Sequence, residues 1–172
     1  MTRALAIVAL TLAAATPSRE VAIRLHWKNK DLPGAMQVYA PAQGAKTVLW
    51  KTGTVASPTE LPLGEEVTDH AVAVTRGQPK RLILVYANKG DTPLYFFAAP
   101  HHAEPEESSL GFKFKCLCVN HAFSVKPGQT WYRVVELRID PDFSGDALDV
   151  THTLIGIDEA RSKQFSKSPE MD

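Results

Sequence analysis

The chain has 172 residues, of which 44% are hydrophobic and 22% are charged, and this is enough apolar content for one sizeable core. Its 19 Lys and Arg residues balance its 19 Asp and Glu residues, so composition gives no broad electrostatic signal for nucleic acid or an anionic membrane surface. The sequence also lacks a Gly-rich phosphate loop and a Gly-x-Ser-x-Gly elbow. These absences favour one domain that is not an enzyme.

The first 15 residues have the pattern of a signal peptide. Arg3 precedes an unbroken run of small and apolar residues from Ala4 to Ala15, which is shorter than the roughly 20 residues that span a bilayer. The last three alanines of the run fit the small-residue rule for cleavage, so we expect removal after Ala15. The alternative is an uncleaved N-terminal anchor, and both interpretations predict that the rest of the chain is exported.

Short apolar or alternating runs, broken by Pro and Gly, follow one another along the rest of the chain. The strands that we predict cover residues 21–27, 36–40, 47–51, 67–75, 81–87, 94–99, 112–119, 130–139 and 148–157. Residues 52–66 and 100–109 are predicted to be loops. Short strands with turn signals about every 8–12 residues are typical of an all-β, immunoglobulin-like β-sandwich, here over residues 20–157. Residues 158–172 carry many charges, which predicts a frayed polar tail.

The only two cysteines, Cys116 and Cys118, lie two residues apart. An exported chain would be expected to form a structural disulfide, but the spacing argues against it. Residues i and i+2 of a strand are about 6.6 Å apart and point in the same direction, whereas a relaxed disulfide needs Cα atoms about 5.5–6 Å apart with facing Cβ atoms. The pair is therefore poorly suited to cross-linking the fold.

The predicted strand at residues 112–119 would present both thiols on one face, beside Phe112 and Phe114. Two parallel thiolates suit Cu(I), which prefers soft sulfur ligands, whereas a structural zinc site needs four ligands. The sequence therefore predicts a Cu(I) site at Cys116 and Cys118. Two alternatives stay open, namely cysteines that only pack in the core and a redox-active pair that exchanges disulfides.

The histidines offer one further candidate ligand. His121 would be a third ligand if the chain turned at Asn120, and an ordinary surface residue otherwise. His101 and His102 lie in a Pro-flanked loop just upstream; they could swing toward the site, but a non-ligating role is favoured. The isolated residues His26, His70 and His152 are interpreted as ordinary strand or loop residues. A blue-copper site of one Cys, two His and usually a Met is disfavoured because the two cysteines stand together.

The motif around the cysteines resembles that of a known family. Lys115-Cys116-Leu117-Cys118-Val119 is followed by the turn Lys126-Pro127-Gly128, then by Val134-Val135 and by Asp140-Pro141-Asp142. This order is similar to that of the CtaG-type cytochrome c oxidase assembly proteins, which are copper chaperones with an immunoglobulin-like domain. The resemblance covers about residues 67–157 and says nothing about residues 21–66.

The resemblance implies a bacterial periplasmic copper chaperone that holds Cu(I) through Cys116 and Cys118. It implies delivery to the CuB centre of cytochrome c oxidase or to another cuproenzyme, and dimerisation through the copper-bearing cysteines. A nucleic-acid partner is not expected. Membrane contact is expected only through a partner protein or an uncleaved N-terminal anchor. The chain departs from the family where Leu117 and Val119 replace two phenylalanines, and it lacks the family's further cysteine near the anchor.

Overall fold

The computed structural model describes residues 19–106, 109–117 and 121–165. The predicted signal peptide, Cys118 and residues 166–172 lie outside this part of the chain. Its elements are the strands β1 Glu20–Lys30, β2 Gln37–Pro41, β3 Thr52–Val55, β4 Leu63–Glu66, β5 Ala71–Thr75, β6 Lys80–Ala87, β7 Leu94–Ala98, β8 His102–Glu104, β9 Phe112–Lys115, β10 Phe123–Val125, β11 Thr130–Ile139 and β12 Ala147–Ile157, and the helix α1 Glu159–Phe165.

The strands form two sheets that pack face to face, which confirms the predicted all-β, immunoglobulin-like β-sandwich. Sheet A has the order β10-β7-β12-β1-β5, with β8 also paired to β12. Sheet B has the order β3-β11-β6-β2-β4, with β9 also paired to β11. The first strand, β1, runs parallel to the last, β12, and antiparallel to β5, so the two ends of the domain are joined in one sheet.

Side-chain alternation explains why β1 and β12 face the core on one side only. The inner face of β1 carries Val21, Ile23 and Leu25, which are at most 2% exposed, while the residues between them are exposed. In β12 every second residue from Leu148 to Leu154 is buried. This period of two is the pattern that a half-buried strand requires.

Sheet B is buried on both faces along its central strands. The outer face of β6 and β11 carries a second apolar cluster of Ile83, Val85 and Val134. Partly buried side chains from β2, from β4 and the residues before it, and from β11 cover this cluster: Tyr39, Leu61, Leu63 and Tyr132. Residues 82–86 are therefore a continuous apolar run rather than an alternating one, as strands covered on both faces usually are.

Several sequence-based boundaries were wrong. Residues 47–51 form a turn instead of a strand, whereas the predicted loops at 52–66 and 100–109 contain β3, β4 and β8. Among the described residues of the predicted strand at 112–119, strand pairing ends at Lys115. Beyond it Cys116 and Leu117 are both buried, at 6% and 0% exposure, so strand alternation ends before the first cysteine.

Part of the predicted frayed tail is ordered. Residues Glu159–Phe165 form α1, and the ring of Phe165 stacks on that of Phe97 with 5.0 Å between centroids. This contact fixes the short helix on sheet A. In the part of the chain that is described, no helix has both the length and the apolar character needed to cross a membrane.

Candidate metal-binding site

Three potential ligands meet between the two sheets, each carried by a different segment. His101 directly precedes β8, Cys116 directly follows β9, and His152 projects from the inner face of β12. The ring of His101 packs against those of Phe112 and Phe114, with centroids 6.3 and 5.7 Å away. The edge of sheet A at β8 and the edge of sheet B at β9 thus come together around the cysteine.

The distances within this Cys–His–His cluster, made of His101, Cys116 and His152, suit a bound metal ion. Cys116 Sγ lies 3.4 Å from His101 Nδ1, and one ligand atom from each of the three residues lies within 4.8 Å of the others. A metal about 2.3 Å from sulfur and about 2.0 Å from nitrogen, with a tetrahedral angle, separates the two ligand atoms by about 3.5 Å. The observed sulfur–nitrogen distance therefore fits two ligands of one ion.

Aromatic rings surround the cluster and keep it largely dry. The ring of His152 lies 5.0 Å from that of Trp27 and 5.2 Å from those of Phe114 and His101. His152 is 1% exposed and Cys116 is 6% exposed, whereas His101 is half-buried. A low-dielectric wall strengthens electrostatic interactions inside it, and solvent reaches the cluster from the side of His101.

A buried arginine fixes the segment that carries the cysteine. Arg133 Nε donates to the backbone carbonyl of Cys116 at 3.2 Å, and its Nη1 donates to Thr52 Oγ1 at 2.8 Å. Its guanidinium also lies 5.6 Å from the ring centroid of Phe123. Burial lowers the pKa of Arg133, and the negative charge of the Cys116 thiolate opposes this shift. Arg133 thus holds the backbone of the cysteine and places a positive charge close to it.

The structure brings together a different set of residues from the one predicted. Cys116 belongs to the cluster, and Cys118 lies outside the described residues. His121 is half-buried with its ring 5.5 Å from that of Phe123, and it is not part of the three-residue cluster. His102 is exposed and contacts Glu104 at 3.2 Å.

Sequence analysis missed His101 and His152 as partners of the cysteine. One signal pointed to His152: it occupies an inner-face position of β12, in register with Leu148, Val150 and Leu154, and a polar residue within an apolar face is informative. For His101 the sequence offers no comparable signal, because its approach to Cys116 depends on how the two sheet edges meet.

Fold and cluster together define the class: an all-β sandwich with a buried Cys–His–His cluster at its sheet edges. The chain belongs to the family described as a domain of unknown function (DUF8709), whose model matches residues 21–157. No curated protein matches the chain significantly, and neither does any solved structure.

Proposed function

We propose that this protein binds copper between its two sheets, with Cys116, His101 and His152 as ligands. The observation that carries the proposal is the 3.4 Å separation of Cys116 Sγ and His101 Nδ1, with His152 completing the cluster. Cys118, two residues further along the chain, is proposed as an additional thiolate ligand on sequence grounds. His121, the ligand suggested by the sequence, is the weaker candidate because it lies outside the cluster.

The ligand chemistry favours copper over zinc. Thiolate and imidazole ligands suit both copper and zinc, so the number of ligands decides between the two metals. A structural zinc site almost always has four protein ligands, whereas the described residues supply three at this position. Zinc would need Cys118 as the fourth ligand, and Cu(I) tolerates fewer ligands. Carboxylates, which hard cations such as Mg²⁺ or Ca²⁺ prefer, are not members of this cluster.

We propose further that the bound copper is passed on rather than used in catalysis. This part rests on the resemblance of residues 67–157 to the CtaG-type assembly proteins, and it makes the CuB centre of cytochrome c oxidase, or another periplasmic cuproenzyme, the acceptor. Half-buried His101 is the ligand that an acceptor would reach first, because Cys116 and His152 are buried. Dimerisation on copper binding is part of the same proposal, and size-exclusion chromatography of copper-loaded protein tests it.

An anaerobic titration of Cu(I) against a chromophoric chelator tests the binding site. We expect the variants His101→Ala and His152→Leu each to lose at least tenfold in Cu(I) affinity, and Cys116→Ser to lose more. His121→Ala tests the ligand suggested by the sequence, and it should bind Cu(I) as the unaltered protein does because His121 lies outside the cluster. Unchanged affinity in all three cluster variants would refute the proposed site. A loss in Cys118→Ser would show that the second thiol also ligates.

A second candidate function has one observation in its favour. Cys116 is a member of the main hydrophobic core cluster, as a cysteine that only packs would be. The protein would then be an interaction module whose cysteine has a structural role. That function predicts no stoichiometric Cu(I) binding in competition with the chelator, so the same titration separates the two candidates.

A further inference from the structure

The zero net charge of the chain conceals a strongly cationic area on the outer face of sheet B. The segment of residues 46–51 lies across this face between β2 and β3. Arg81 Nη1 donates to the carbonyl of Thr47, and Trp50 N donates to the carbonyl of Val134 at 3.0 Å. A cavity of about 300 Å³ lies beneath the segment. We call this area the Trp50 patch; it comprises residues 46–51 together with Arg81, Lys115 and Arg138.

Two large apolar side chains protrude from the Trp50 patch. Val48 is 66% exposed and Trp50 is 53% exposed, and the turn that carries them is closed by the hydrogen bond from Lys51 N to the carbonyl of Val48 at 3.2 Å. Trp50 has a φ of 64°, a conformation that such turns normally give to Gly or Asn. A bulky residue held in this strained conformation suggests that the exposed ring has a function.

Positive charge surrounds the two apolar side chains. The patch carries five cations: Lys46, Lys51, Arg81, Lys115 and Arg138. Glu136 lies beneath three of them at 1% exposure, 2.7 Å from Arg138, 3.3 Å from Arg81 and 3.8 Å from Lys115. A second carboxylate, Glu60, lines the cavity. The patch therefore carries an excess of three positive charges, and Lys115 Nζ lies 5.8 Å from the centre of the Trp50 ring.

We propose that the Trp50 patch docks the protein onto an anionic lipid surface. Val48 and Trp50 project outward, where they can enter the boundary between headgroups and acyl chains, the depth at which tryptophan is enriched. Lysines around them attract anionic headgroups and can keep their ammonium groups in water while their methylene stems lie along apolar surface. This function does not depend on the metal site.

An acidic protein is the other occupant that this charge would attract, and the composition of the patch argues against it. Three of the five cations are lysines, which are depleted at protein–protein interfaces, where arginine is the enriched cation. Trp50, which is 53% exposed, also protrudes instead of lining the cavity beneath the segment. Lipid therefore fits the patch better than a folded acidic partner does.

Sedimentation with vesicles tests the proposal, using equal parts of phosphatidylglycerol and phosphatidylcholine, with pure phosphatidylcholine as the neutral reference. At low salt we expect binding to the anionic vesicles only, with a blue shift in tryptophan fluorescence. Lys51→Ala should weaken vesicle binding about fivefold, which is the affinity that one lysine near an anionic surface contributes. Lys89→Ala, which removes an exposed lysine outside the patch, should leave binding unchanged.

Trp50→Gly separates a docking role from a folding role. Glycine accepts the positive φ without strain, so this variant should melt at or near the temperature of the unaltered protein while losing vesicle binding and the fluorescence shift. Leu110→Ala is the matched apolar control, because Leu110 is 83% exposed outside the patch. Absence of binding to the anionic vesicles would overturn the proposal. So would vesicle binding by both Trp50→Gly and Lys51→Ala that equals that of the unaltered protein. Binding to polyglutamate without binding to vesicles would also overturn it.

Discussion

The substitution Cys116→Ala distinguishes a metal ligand from a cysteine that only packs. Cys116 is 6% exposed within the core, so truncation removes one buried sulfur atom and should cost about 1–2 kcal/mol of unfolding free energy without metal. A ligand that binds only the folded state, at a thousandfold excess over its dissociation constant, adds about 4 kcal/mol. With Cu(I) present, the difference between the two proteins should therefore grow to about 5–6 kcal/mol.

Guanidinium unfolding under anaerobic conditions, with Cu(I) buffered by a chelator, measures both differences. In a thermal melt the added 4 kcal/mol corresponds to roughly 8–16 °C for a domain of this size. Leu117→Ala is the matched control: Leu117 is a fully buried neighbour, and its truncation should cost about 2–5 kcal/mol equally with and without copper. If copper left the Cys116→Ala difference unchanged, the cysteine would not be a ligand.

Three further predictions concern the scaffold. Gly156→Ala should lower the unfolding free energy by about 3 kcal/mol or more in chemical denaturation, because the new Cβ would lie 1.9 Å from the carbonyl oxygen of Asp31. A loss smaller than about 1 kcal/mol would mean that the backbone at Asp31 moves aside freely. Phe165→Ala should speed amide hydrogen exchange throughout α1, because the stack on Phe97 fixes that helix; unchanged exchange would contradict this role. Burial opposes ionisation of Glu136, but its hydrogen bonds to arginines outweigh this and lower its pKa below 4.5. The carboxylate therefore stabilises the fold above that pH and loses its effect as the pH falls through the lowered pKa. Glu136→Gln should consequently flatten the acid side of a plot of unfolding free energy against pH. An unaltered acid side would exclude this contribution.

The sequence predicted the fold class well because the burial pattern of a long strand can be recognised from its consecutive residues alone. In β1 and β12 the exposure of each residue follows from its position on one side of a pleated strand, and in β11 a nearly continuous buried run marks a strand covered on both faces. The short edge strands β3, β4 and β8 have only three or four residues each, too few to show a period. Whether such a segment forms a strand depends on its neighbouring strand, which cannot be identified from the local sequence.

The candidate site was predicted only in part for a similar reason. Two cysteines in 172 residues draw attention to Cys116 whatever the fold. His101 is 15 residues away along the chain and reaches the sulfur only because β8 and β9 occupy adjoining edges of the two sheets. The sequence-based geometry assumed a strand through both cysteines, and that strand ends at Lys115.

The same limit applies to the charged surface. A net charge of zero describes the average over the chain, whereas binding responds to the local potential. Lys46, Lys51, Arg81, Lys115 and Arg138 come from four different segments, so no basic run marks them in the sequence. Only the packing of residues 46–51 onto the outer face of sheet B collects them around Trp50.

The parallel pairing of β1 with β12 has a consequence for how the chain acquires its structure. Arg24 and its partner Asp149 are separated by 125 positions, so the first strand gains this neighbour only when nearly all of the polypeptide is available. Closing so long a loop is entropically costly, and folds dominated by distant pairings assemble slowly. A nascent chain would therefore complete sheet A only after its final strand has been synthesised. His152 lies on that final strand, so the Cys–His–His cluster can form only when synthesis is almost finished.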